Sequence, residues 1–148
     1  MKVARFFAVL VVLCLAVGCS DTRTTTPAPI PPTVDTTPAG SEFFGGTLVQ
    51  QGTSFFTFTV TTAGRVDVTL TSLRTSTTTP VTDVAVGLGL GVPSADGASC
   101  VVSVSAVVTP SLTTQLTTQA PAGANCVQVS DVGNVVVPLT FVVRVAHS

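Results

Sequence analysis

The residues able to do chemistry in this 148-residue chain are few, and their positions separate them. There are four cysteines and one histidine, with no tryptophan or tyrosine. Cys14 lies inside an apolar run, Cys19 ends it, and Cys100 and Cys126 stand far downstream. The last two form an even pair, expected to join as a disulfide in an oxidising compartment, the alternative being two separate buried thiols. The loop so closed would remove chain entropy worth about 3–4 kcal/mol. His147 is next to the C-terminus, where a frayed strand end would hold a general base poorly. Ser-His-Asp catalysis is therefore not expected, and the same shortage of imidazole and thiolate argues against a transition-metal site. No cofactor is expected either.

The carboxylates of the C-terminal part are Glu42, Asp67, Asp83, Asp96 and Asp131, no two of them close in sequence. A calcium site wants several convergent oxygens. The best fragment, Asp131-Val132-Gly133-Asn134, reads as a turn. Sugar-binding sandwiches commonly stack ligands on tryptophan or tyrosine, which are absent. Phe43 and Phe44 are adjacent, so one of them faces outward, with an edge-strand packing role. Past Cys19 there is no lysine, only Arg23, Arg65, Arg74 and Arg144 against seven acids, leaving a net charge of about −3. Four scattered cations cannot replace phosphate counterions in the way nucleic-acid binding requires.

The segments that carry these residues differ in character. Lys2 and Arg5 precede the uncharged run Phe6–Val17. Twelve residues span only about 18 Å as a helix, short of the roughly 30 Å hydrocarbon core. A charged start, a short apolar stretch and small residues before Cys19 describe an export signal over residues 1–18. Ala16-Val17-Gly18-Cys19 resembles the lipobox of bacterial lipoproteins, with leucine one position early at Leu15. The resemblance implies that Cys19 receives a diacylglyceryl group and becomes the mature N-terminus. Because Ser20 and not aspartate follows directly, it also implies the outer membrane or cell surface. Two or three acyl chains, at about 0.8 kcal/mol per buried methylene, would anchor the chain stably.

Residues 19–40 make the lipidated cysteine and a linker rich in threonine and proline, including Thr24-Thr25-Thr26-Pro27 and Pro31-Pro32. It has too little apolar surface to offset ordering, so it reads as a disordered, partly polyproline spacer. Its reach is between roughly 25 Å as a coil and about 60 Å extended.

From Ser41 to Ser148 the apolar period becomes two, the mark of half-buried strands. Phe43–Val49 is a first strand, with Gly45-Gly46 suggesting a bulge. Phe56, Phe58 and Val60 alternate with threonines over Phe55–Thr61. After Ala63-Gly64, Val66, Val68 and Leu70 alternate with Arg65, Asp67 and Thr69, and these two segments read as a hairpin. Val84–Leu90 sets Gly87 and Gly89 on one face, where close sheet packing is expected. Cys100–Val108 would point Val102, Val104 and Ala106 inward. Thr109–Gly123 is unreadable apart from Leu112 and Leu116, which could pin it to the core. Asn125–Val129 and Val136–Ala146 close the domain. Seven to eight strands without a credible helix predict an all-β, two-sheet antiparallel sandwich of jelly-roll or Ig-like kind. The cysteines raise a problem of parity: Cys100 shares the phase of Val102, whereas Cys126 is out of phase with Val127 and Val129. A strand-end or bulge position would reconcile them.

The order of these elements resembles the bacterial pre-peptidase C-terminal domain. The resemblance is carried by Gly45-Gly46-Thr47-Leu48, Phe56-Thr57-Phe58, Gly64-Arg65-Val66-Asp67-Val68, Ala122–Val129 and Phe141–Val145, with Asn125 where that family usually has tyrosine. It implies a small β-sandwich that assists binding, secretion or solubility and is not itself the catalyst. Some members of that family bind calcium, and its collagen-binding members rely on surface tyrosines that this chain lacks. The resulting expectation is a non-enzymatic envelope lipoprotein presenting a binding module to an envelope protein or polysaccharide. The alternatives are a structural or surface-coat lipoprotein and an accessory to a secreted hydrolase or its export.

Overall fold

The computed structural model describes residues 38–75 and 79–148. The expected signal, the lipidation of Cys19 and all but the last residues of the linker lie outside the described residues. The described chain forms eight strands: β1 (Gly40–Leu48), β2 (Thr53–Val60), β3 (Gly64–Thr75), β4 (Val86–Pro93), β5 (Cys100–Val108), β6 (Leu116–Ala120), β7 (Gly123–Asp131) and β8 (Leu139–His147). They build two four-stranded antiparallel sheets, β1-β8-β3-β6 (sheet A) and β2-β7-β4-β5 (sheet B).

The pairing has a simple rule. β1 pairs with β8, β2 with β7, β3 with β6 and β4 with β5, so the chain is one long hairpin rolled into two layers. That is jelly-roll connectivity, which decides against the Ig-like alternative.

Threonine and β-branched residues suit a pleated, half-buried surface, and alternation decides which side goes inward. Phe58 and Val60 of β2, Val66, Val68 and Leu70 of β3, Leu88 and Leu90 of β4, Val127 and Val129 of β7, and Phe141, Val143 and Val145 of β8 form the core. At one end Phe44 stacks on Phe56 with ring centroids 5.3 Å apart, and Phe141 meets Phe56 edge-on at 6.0 Å. This cluster needs Gly46: a Cβ there would come within 2.9 Å of the Phe141 ring. The expected Gly45-Gly46 bulge is absent, because β1 and β8 pair without interruption from Gly40↔His147 to Leu48↔Leu139. The glycine accommodates a ring instead.

Two further expectations are corrected. β2 and β3 do not form a hairpin: β2 pairs with β7 in sheet B, and β3 with β6 and β8 in sheet A. Their short connection crosses between layers, so the two apolar faces meet across the core. Leu112 does not pin the loop before β6, being 90% exposed, whereas Leu116 is buried. That loop is held by polar groups. The pairing of β3 with β8 shifts between Leu70 and Ser72, and the Gln115 carboxamide oxygen accepts the Leu70 N–H at 2.8 Å. Gln115 Nε2 donates in turn to the Thr109 carbonyl. A side-chain amide thus does the work of a neighbouring strand at a bulge, which explains why apolar periodicity did not reveal the segment.

Candidate functional site

The Cys100–Cys126 disulfide is present, with Cα atoms 5.8 Å apart. Its parity problem is solved on β5. Leu90 pairs with Val104 but Gly91 pairs with Val102, so Ser103 is an extra residue in the β4–β5 ladder. From that bulge toward the strand start, the facing of β5 is reversed. Val102 lies with the outward-facing Gly87 and Gly89, against the expectation that it points inward, while Val104 and Ala106 pack on the core. Cys100 consequently shares the outer side of sheet B with Cys126, the Cα partner of Gly91. β4 runs between β7 and β5, so the bridge ties together the two strands that flank it. Gly91 is required for the same reason: a Cβ there would overlap the Val101 carbonyl oxygen.

His147 is not frayed. It ends β8, is only 9% exposed and lies against Phe58, with ring centroids 5.1 Å apart. Its Nε2 is 2.8 Å from Glu42 Oε1, and its Nδ1 is 3.2 Å from the Ser148 carbonyl oxygen. Beyond it, the Thr61 N–H bonds to the Ser148 carbonyl and the Ser148 hydroxyl to the Thr62 carbonyl. Both ring nitrogens therefore face acceptors that fasten the strand ends together, and among the described residues no hydroxyl or thiol bonds to the ring, the Ser148 hydroxyl being turned to the Thr62 carbonyl.

The carboxylates divide in a similar way. Asp131 Oδ1 accepts the N–H groups of Gly133, Asn134 and Val135 at 2.8, 2.9 and 3.0 Å, and Oδ2 accepts that of Gln51 at 2.8 Å. Gln51 is the residue with φ of 56°, so this bond secures a left-handed turn that a side chain rarely adopts. The Gln51 N–H, followed by the others, holds the Asp131 carboxyl below its ordinary range. Asp96 is lowered by the Ser94 hydroxyl at 2.5 Å and then by the Ala98 N–H at 3.1 Å. Both are turn-organising acids, as the Asp131–Asn134 reading anticipated. Among the described residues no three of His, Cys, Asp and Glu gather where a metal could sit.

What remains is a concave patch on the outer face of sheet A, of about 310 Å³. β3 contributes Asp67 and Thr69, β8 contributes Arg144 and Ala146, β1 contributes Ser41, and Thr114 comes from the loop before β6. Register brings them together: Thr69 pairs with Arg144, and Arg144 with Phe43. The Arg144 Nε and Nη2 donate to the Ser41 hydroxyl at 3.3 Å, and no described carboxylate pairs with it. Asp67 Oδ1 accepts from Arg65 Nε at 2.9 Å and the Thr117 hydroxyl at 2.7 Å. None of this was identified as a site from sequence, although the scarcity of cations makes any arginine without a carboxylate conspicuous.

A second depression of about 430 Å³ lies on the outer face of sheet B, floored by Gly87 and Gly89 and flanked by Val102, Val107 and Val132. Against the close sheet packing expected of these glycines, what they accommodate is side chains of their own sheet: a Cβ at Gly89 would press on Val102 and one at Gly87 on the Ser130 hydroxyl, and Ser105 and Gln128 complete the lining of the depression. Among the described residues no helix is long and apolar enough to cross a membrane. No protein-family model matches the chain, and no curated protein is similar to it.

Proposed function

We propose that the chain is a lipid-anchored protein of the cell envelope whose jelly roll is a non-catalytic binding module, presented above the membrane on its threonine- and proline-rich spacer. The anchoring part rests on Ala16-Val17-Gly18-Cys19 and the apolar run before it. The binding part rests on one observation: the outer face of sheet A keeps a polar concavity whose arginine has no described carboxylate partner. The histidine and the two turn acids, by contrast, are engaged in holding the fold. A binding surface uses such an arrangement directly, because it needs displayed hydrogen-bonding groups and a rigid frame but no proton shuttle.

Two measurements test the reading. Metabolic labelling with palmitate should mark the wild-type chain and not Cys19→Ala; equal labelling would remove the anchor. A photo-crosslinking residue at Phe43, beside Arg144, should give a covalent adduct in native membranes, while one at Val107 on the other sheet should not. Recovery of the protein alone from both positions would count against a binding module.

A further inference from the structure

The concavity on sheet A contains a second, independent sign of a ligand. Thr69 is 2% exposed, yet its hydroxyl has no hydrogen-bond partner among the described residues. A buried hydroxyl without a partner costs stability, and native structures keep one where something else completes it. Thr69 lies directly opposite Arg144 in the β3–β8 ladder and lines the same cavity. We infer that this cavity is a binding site for an acidic sugar unit, a ring bearing one carboxylate and several hydroxyls. This deepens the binding-module reading and rests on it.

The chemistry of the walls selects that class. Arg144 spends Nε and Nη2 on the Ser41 hydroxyl, and its Nη1 amino group has no described partner. Guanidinium recognises a carboxylate with planar, charge-assisted bonds. On the other side, Asp67 uses Oδ1 twice, and Oδ2 has no described donor, so it is an acceptor for a ligand hydroxyl. The Thr69 and Thr114 hydroxyls each can donate and accept, which suits adjacent hydroxyls of a ring. One carboxylate-binding group, one carboxylate acceptor and two hydroxyls within about 310 Å³ match a single polar ring. Phe43, 65% exposed on the same face beside Arg144, supplies an apolar flank for the C–H side of such a ring.

The test is saturation-transfer NMR on the purified full chain with glucuronate, galacturonate, glucose and N-acetylalanine as separate probes. Transfer to the uronate ring protons is expected, with weaker transfer to glucose and to N-acetylalanine. Arg144→Gln should weaken uronate binding by at least about tenfold, the loss typical of a charge-assisted pair. Thr69→Val should also weaken it with the fold retained by circular dichroism, so the outcome does not hang on one variant. No transfer to either uronate, or binding unchanged in both variants, would overturn the inference. N-acetylalanine binding as tightly as the uronates would overturn it in favour of a peptide carboxylate. An adduct at Phe43 together with silent uronates would defeat the sugar assignment and leave the binding module standing.

Discussion

The outer faces of the two sheets are made by the same jelly-roll rule and have opposite character. On sheet B the face turned away from the core is uncharged: Gly87, Gly89, Val102 and Val107 share its depression with Ser105, Gln128 and Ser130, beside Gly91 and a disulfide that ties the strands flanking β4. On sheet A they are Asp67, Thr69, Arg144 and Ser41, with a buried hydroxyl and part of a guanidinium left without described partners. One face gives its covalent chemistry to stability, and the other keeps polar groups uncompensated. A domain of this size is only marginally stable and tolerates little such cost unless the groups serve a purpose. The contrast is the physical case for placing recognition on sheet A.

Removing the covalent tie should break the contrast most. The loop between Cys100 and Cys126 spans 26 positions, so Cys100→Ala with Cys126→Ala should lower unfolding stability by about 3–4 kcal/mol. Denaturant melts of the oxidised and double-alanine proteins measure this. Hydrogen exchange should show β5 and β7 losing protection before β8; uniform loss would mean that the two sheets do not differ in this way.

A smaller effect of opposite sign is expected on the other face. Thr69→Val replaces a buried hydroxyl with a methyl of nearly the same shape, and should raise stability by about 1 kcal/mol in the unliganded protein. The same denaturant melts decide it. A loss of stability would show that the hydroxyl already has a partner, and would dissolve the distinction between the faces.

The smallest effect concerns Asp131, which belongs to neither outer face and serves as an internal reference. Its carboxyl is held below the ordinary value of 3.8, first by the Gln51 N–H. A carboxyl lowered in the folded state contributes stability that is fully present above its unfolded value. That contribution is lost as pH falls through the lower folded value. Melting temperature should therefore decline below about pH 4, and less steeply in Asp131→Asn. Identical pH profiles for the two proteins would show that the bond to Gln51 does not matter.

Much of the fold was legible because burial follows a period of two. Phe56, Phe58 and Val60, or Val66, Val68 and Leu70, announce their inner faces whatever they pair with. The hairpin expected of β2 and β3 failed at the next level, since two strands sharing a tight connection can lie in one sheet or face each other across the core. Val102 was misassigned because one inserted residue, Ser103, reverses every side chain on its far side. β6 was missed because its inward positions, Leu116, Thr118 and Ala120, carry a single large apolar side chain, and the loop before it is held by the polar Gln115. His147 looked frayed by position alone, and only the bonds from Ser148 to Thr61 and Thr62 show that the C-terminus is tied down.

The sequence by itself determined the all-β class, the inner faces of most strands, the cysteine pair and the turn role of Asp131, since these depend on local alternation, residue chemistry and short spacing. The tertiary structure alone decided the strand order, the outer placement of the disulfide and the meeting of Thr69 with Arg144 and Ser41. Backbone hydrogen bonds between strands are nearly blind to side-chain identity. Which strands pair, and hence which distant residues become neighbours, is therefore decided by packing the two layers as a whole.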